Sequence, residues 1–226
     1  VLVVPEEKNK MTLRLLQATE AFVKAQLAEA EAGHDWWHTH RVYTLACKLG
    51  EAERADMLVV QLSALLHDIA DAKFHDGDEE LGPARAAAFL AGTDLDAARQ
   101  QHVVDIVRHL SFKGGFNEGQ FYSLEYAVVR DADRLDAMGA IGIARTFHYG
   151  GFRNRPLYDP AIPPVQYANR EAYKGSTAPT LNHFYEKLLL LKDGMLTESG
   201  KCLAEGRHAV LQAYVDQFLA EWHGEA

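Results

Sequence analysis

The sequence predicts an all-α protein: a single multi-helix domain over residues 1–226 with one long proline-rich loop. Three observations carry this. Apolar residues recur at helical spacing along most of the chain, no convincing run of alternating strand residues interrupts them, and five of the seven prolines (Pro156, Pro160, Pro163, Pro164 and Pro179) fall in one stretch. No internal repeat or low-complexity tract divides the chain.

In order along the chain, Leu15, Leu16, Phe22, Val23 and Leu27 outline a first amphipathic helix, closed by Gly33. Val42, Leu45, Ala46 and Leu49 outline a second, closed by Gly50, and His38 extends its inward stripe by one turn. Residues 57–70 are apolar nearly all round, as in a central buried helix, yet this run carries His67 and Asp68. Pro83 after Gly82 opens a short fourth helix that Gly92 closes. Residues 93–110 read as a fifth, with Thr93 and Asp96 as a loose capping box. Residues 123–147 read as one sixth helix bearing Asp133. The proline-rich stretch, 149–179, is long enough to be a functional surface loop. Two closing helices are expected at 181–192 and 199–222, the last burying Leu203, Val210, Tyr214, Phe218 and Trp222.

A hydrophobic content of 48% and a charged content of 24% are ordinary for a soluble domain. The net charge of −9 argues against a nucleic-acid polymer or an anionic membrane as partner, so any phosphate chemistry must gather positive charge locally. With only Cys47 and Cys202, no disulfide framework is expected and both read as small buried hydrophobes of a cytoplasmic protein. The opening Val1-Leu2-Val3-Val4 is too short for a signal segment; residues 1–10 read as a disordered or expression-derived start, with Met11 as the alternative first residue. A homodimer is compatible with all of this.

His38, the vicinal pair His67-Asp68, and Asp133 are two imidazoles and two carboxylates on otherwise apolar helices. Buried charge of that density is costly unless a divalent metal compensates it. His34-Asp35-x-x-His38 also echoes the zinc-binding pattern His-Glu-x-x-His, but that reading leaves His67 and Asp68 without a role. His102 and His109, seven residues apart, share a helix face and offer a second site, although one metal is the expectation. Gly194 to Cys202 does not make a phosphate-binding P-loop, because five residues separate Gly194 from Gly200 and no hydroxyl follows Lys201.

The order His38-x-x-Arg41-Val42, Leu66-His67-Asp68, Ala132-Asp133-Arg134-Leu135 resembles the HD superfamily of metal-dependent phosphohydrolases. Gly33-His34-Asp35-Trp36-Trp37-His38, His67-Asp68-Ile69-Ala70-Asp71, Ser111-Phe112-Lys113-Gly114-Gly115, Asp131 to Asp136 and Phe184 to Leu188 are similar to a subgroup of small bacterial HD-domain nucleotide pyrophosphohydrolases, so the resemblance spans nearly the whole chain. It implies a multi-helix HD bundle and one divalent ion (Mn, Ni, Co, Fe, Zn or Mg) held by His38, His67, Asp68 and Asp133. Asp131 competes for the last place; Asp133 is preferred because the Ala-Asp-Arg-Leu frame aligns there, and the two lie about 200° apart on a helix.

Asp68, Asp71 and His34 are the candidate catalytic residues, with Asp68 also orienting the attacking water. Lys73, His109, Lys113 and Arg145 are the candidate substrate contacts, Lys113 first because Gly114 and Gly115 allow close backbone approach to a phosphate. Arg153, Arg155 and Lys174 are further cations in the loop, and Trp36, Trp37, Phe116 and Tyr158 are aromatics able to stack on a base. The implied reaction is hydrolysis of a (deoxy)nucleoside triphosphate to monophosphate and pyrophosphate. The alternatives are a nucleotide monophosphatase, a guanosine-tetraphosphate hydrolase and a non-catalytic nucleotide sensor.

Overall fold

The all-α architecture expected from periodicity is what forms. The computed structural model describes residues 5–28, 35–70, 78–110, 121–167 and 175–226, and no strand occurs among them. The chain falls into two compact units, one containing residues 1–111 and 120–129, the other 112–119 and 130–226.

In the first unit, α1 (Pro5–Gln26), α2 (Trp36–Glu53), α3 (Met57–Leu66), α4 (Leu81–Ala91) and α5 (Ala97–Leu110) are followed by the start of α6 (Leu124–Asp136). Helix α3 packs against α1, α2 and α5, which accounts for its apolar circumference. Leu62 and Leu66 have no exposed surface, and each such side chain contributes about 1.5–3 kcal/mol by burial. Asp56 caps α3, its Oδ1 accepting the Leu58 N–H at 3.2 Å, while its Oδ2 pairs with Arg99 at 2.8 Å. Ser123 caps α6 by accepting the Tyr126 N–H at 3.0 Å.

Four boundaries differ from the sequence expectation, the first being that α1 ends at Gln26, before the Gly33 expected to close it. Helix α2 does not stop at Gly50; it runs to Glu53 and closes on Arg54 in the left-handed region. Gly50 serves packing, because a Cβ there would sit 2.9 Å from Met57 Sδ and 3.3 Å from Val60. Helix α3 ends at Leu66, so His67 is its C-terminal capping residue rather than a mid-helix residue. Helix α5 begins at Ala97, four residues late, with Asp96 alone capping it by accepting the Arg99 N–H at 3.0 Å.

The second unit holds the rest of α6, then α7 (Gly139–Phe152), the short α8 (Asn182–Glu186), two 3-10 turns (Leu188–Leu190 and Lys192–Gly194) and α9 (Glu198–His223). The expected helix over 123–147 is therefore two. Gly139 takes φ +65° and breaks the run, and α7 then turns so tightly on Ala137 that only glycine fits at 142. The expected helix over 181–192 is likewise α8 followed by 3-10 turns. The inward stripe of α9 is rotated from the one expected: Gly200, Ala204, Leu211 and Val215 are buried, whereas Val210 is 45% and Trp222 48% exposed. Tyr214 and Phe218 instead join Phe147 and Phe184 in an aromatic cluster.

Burial raises the Cys47 thiol above its ordinary pKa, as a packed hydrophobe would have it; Cys202, contrary to expectation, is exposed, and neither forms a disulfide. No helix among the described residues is long and apolar enough to cross a membrane.

Gly142→Ala is expected to cost about 1–3 kcal/mol of unfolding free energy through backbone collision. Gly151→Ala on the same helix, where nothing lies within 4 Å, should be neutral or stabilising. Urea denaturation of the pair checks this; equal midpoints would refute the packing role of Gly142.

Candidate metal centre

His38 is the third residue of α2, and the turn before it is fixed by Asp35. The Asp35 Oδ1 accepts the backbone N–H of His38 itself at 2.9 Å, with Asp35 in extended backbone. The imidazole is only 2% exposed.

His67 stands at the end of α3. Its Nδ1 lies 2.8 Å from the carbonyl oxygen of Ala64, which can only accept, so Nδ1 carries the hydrogen and Nε2 presents a lone pair. That lone pair faces His38 Nε2 at 3.3 Å, with the rings 70° apart. Asp68 Oδ2 approaches His38 Nε2 at 3.8 Å, its side chain 13% exposed.

Helix α6 carries Asp133 one turn beyond Val129. Within the first unit, His67 Nε2 and Asp68 Oδ2 thus stand 3.3 and 3.8 Å from His38 Nε2, two imidazoles and a carboxylate gathered in one place. Donors about 2.1 Å from one ion stand about 3.0 Å apart as neighbours and about 4.2 Å apart as opposite ligands of an octahedron. Spacing, burial and the mixed nitrogen–oxygen donor set therefore fit a divalent cation.

The remaining candidates sort by their partners. Asp131, the rival for the last ligand, has no exposed surface and accepts the N–H groups of Leu196 and Thr197. Arg145 pairs with the buried carboxylate of Asp136 at 2.8 Å, which absorbs charge that a substrate phosphate would need. His109 donates from Nδ1 to the Asp105 carbonyl at 2.8 Å and stacks on Phe121. His102 lies 2.8 Å from Ser123 Oγ, and no second group of metal-ligating residues occurs among the described residues. Trp37 is 63% exposed, whereas the Lys24 ammonium sits over the Trp36 ring at 4.5 Å. His34, Asp71, Lys73 and Lys113, together with Phe116 and Lys174, lie outside the described residues.

The role of Asp35 was the feature least visible in the sequence. In the His-Asp-x-x-His segment its carboxylate is spent on a backbone amide, not aimed at a reacting group, so the zinc-protease echo has no structural support. An Asp three residues before a ligand at a helix start was the available signal.

A family model described as HD domain matches residues 36–138. The chain is 34% identical over 206 residues to the protein YpgQ of Bacillus subtilis, covering 91% of this chain and 92% of YpgQ. A crystal structure of YpgQ in complex with ADP superposes with a TM-score of 0.73 at 32% identity, covering 93% of this chain and all of that one. A Bacillus thuringiensis protein described as an HD-superfamily hydrolase superposes at 0.75 with 39% identity, covering 94% and 98% of the two chains. One from Lactobacillus plantarum reaches 0.80 at 40%, covering 93% and 98%.

Asp35→Ala is expected to lower stability by about 1 kcal/mol through loss of the α2 cap, and Asp35→Asn to retain most of it. Thermal unfolding of both variants checks this. An alanine variant as stable as the parent would show that the cap does not hold His38 in place.

Proposed function

The chain belongs to the HD superfamily of hydrolases, and from that membership we propose that it is a divalent-metal-dependent phosphohydrolase that cleaves nucleoside triphosphates between the α- and β-phosphates, releasing monophosphate and pyrophosphate. The observation that carries the metal half of this reading is the approach of His67 Nε2 and Asp68 Oδ2 to the buried His38 Nε2, at 3.3 and 3.8 Å. The nucleotide half is supported by the ADP bound to YpgQ, together with the motifs that this sequence shares with the pyrophosphohydrolase subgroup.

In this reading His38, His67, Asp68 and Asp133 hold the ion. Such an ion supplies Lewis acidity, making water a competent nucleophile at neutral pH and offsetting phosphate charge. Neutral His67 contributes its Nε2 lone pair because the Ala64 carbonyl keeps the proton on Nδ1. Asp68, whose Oδ2 lies 3.8 Å from His38 Nε2, is proposed to accept a hydrogen bond from the attacking water and so to aim it. Asp71 and His34 are proposed to assist in proton transfer. Lys73 and Lys113 are the preferred phosphate contacts. Arg145 and His109 rank below them, since Asp136 and Phe121 already engage those side chains. The net charge of −9 makes these local cations the means by which a polyanionic substrate is tolerated.

Phosphorus NMR of a nucleoside triphosphate panel with Mn, Ni, Co or Mg tests the proposal. Monophosphate and pyrophosphate should appear together and chelator should stop turnover; release of orthophosphate alone, or indifference to chelator, would contradict it. His67→Ala should lose stoichiometric metal uptake and lower activity on the order of a hundredfold or more, with an unchanged helical circular-dichroism spectrum. Full activity in that variant would rule out the site.

A further inference from the structure

The residues of α6 on either side of Asp133 are held from behind by the C-terminal part of the second unit. Arg130 Nη1 donates to the Gly194 carbonyl at 2.6 Å. Asp131 accepts the Leu196 N–H on both oxygens at 3.0 Å, the Thr197 N–H at 2.8 Å and the Thr197 hydroxyl at 2.7 Å. The Leu135 carbonyl lies in the last helical turn, where intrahelical donors run out; it accepts the Met138 N–H at 3.0 Å and also Arg207 Nη1 from α9.

Asp131 and Leu135 are four residues apart and share one face of α6. Each lies about 200° around the helix from Asp133. A grip on that face fixes the rotation and height of the turn from the side opposite Asp133. The grip is built closely: Thr197 Oγ also accepts the Gly200 N–H at 3.0 Å to cap α9, and a Cβ on Gly200 would lie 2.5 Å from Asp131 Oδ2. The buried Asp131 carboxylate at the α9 N-terminus is thereby satisfied by donors and by the helix dipole.

We propose that residues 194–207, which lie outside the matched HD segment, clamp the α6 turn that presents Asp133, with Thr197 and Arg207 as positioning residues of the metal centre. This rests on the reading of Asp133 as a ligand. Supporting shells of this kind change metal affinity although they touch no metal. The HD segment by itself then lacks what aims its last carboxylate.

The test is manganese titration by calorimetry of chelator-stripped full-length protein, at a temperature where circular dichroism shows each variant folded. Arg207→Leu and Thr197→Val should each weaken manganese binding about tenfold to a hundredfold. Arg207→Lys and Thr197→Ser, which keep a donor, should recover most of it, a rescue that a purely packing role would not give. Should Thr197→Val fail to fold, the Arg207 pair carries the test. Unchanged affinity in the Leu and Val variants, with Asp133→Ala still abolishing binding, overturns the clamp and leaves the metal centre standing. Unchanged affinity in Asp133→Ala overturns the centre and the clamp with it.

Discussion

Two imidazole nitrogens that face each other across 3.3 Å, one of them in a side chain only 2% exposed, impose the constraint on which the site depends. The Ala64 carbonyl fixes the proton of His67 on the remote nitrogen, so a lone pair points at His38. Add the carboxylate of Asp68, 3.8 Å from His38 Nε2, and the arrangement is one of concentrated electron density in a poorly hydrated place. Only a proton or a cation between the donors relieves it, and a divalent ion relieves all of them at once. The helix boundaries serve this geometry. Helix α2 begins two residues before its ligand, α3 ends one residue before its own, and α6 is capped by Ser123 ten residues before Asp133.

The polar groups behind the donors are as ordered as the donors themselves. Asp35 spends its carboxylate on the amide of His38, and Asp131 spends both oxygens on Leu196 and Thr197. Neither acid is aimed at a reacting group. Each turns a flexible chain segment into a fixed one, which matters because a ligand displaced by an ångström loses much of its bond to the ion.

Much of this was legible in the sequence, for physical reasons that differ by residue. The 3.6-residue recurrence of Val42, Ala46 and Leu49 reported the inward face of α2 correctly, and His38 lies on it because period and burial are local consequences of helix geometry. Glycine was the weak point. Gly50 read as a stop but serves close packing against Met57, while Gly139, overlooked inside an apolar run, breaks the helix. Gly50 packs on the helix that follows it and Gly139 lies against Arg207 of α9, contacts between elements that the periodicity of one helix does not report. The same holds for α9, where Tyr214 and Phe218 of the expected stripe stack on Phe184 and Phe147 while Val210 and Trp222 of the same stripe stay about half exposed. For the carboxylates, the helical wheel separates Asp131 from Asp133 by about 200°, and in the structure Asp131 is taken up by the amides of Leu196 and Thr197. It could not show that Thr197, sixty-six residues on, is what occupies Asp131.

The most direct measurement is anomalous diffraction from crystals of the protein loaded with manganese. A single strong peak is expected about 2.0–2.3 Å from His38 Nε2, His67 Nε2 and an Asp133 oxygen, with Asp68 turned toward it. A peak held by other residues, or none beside His38 and His67 in crystals that bind manganese elsewhere, would contradict a metal centre at this place.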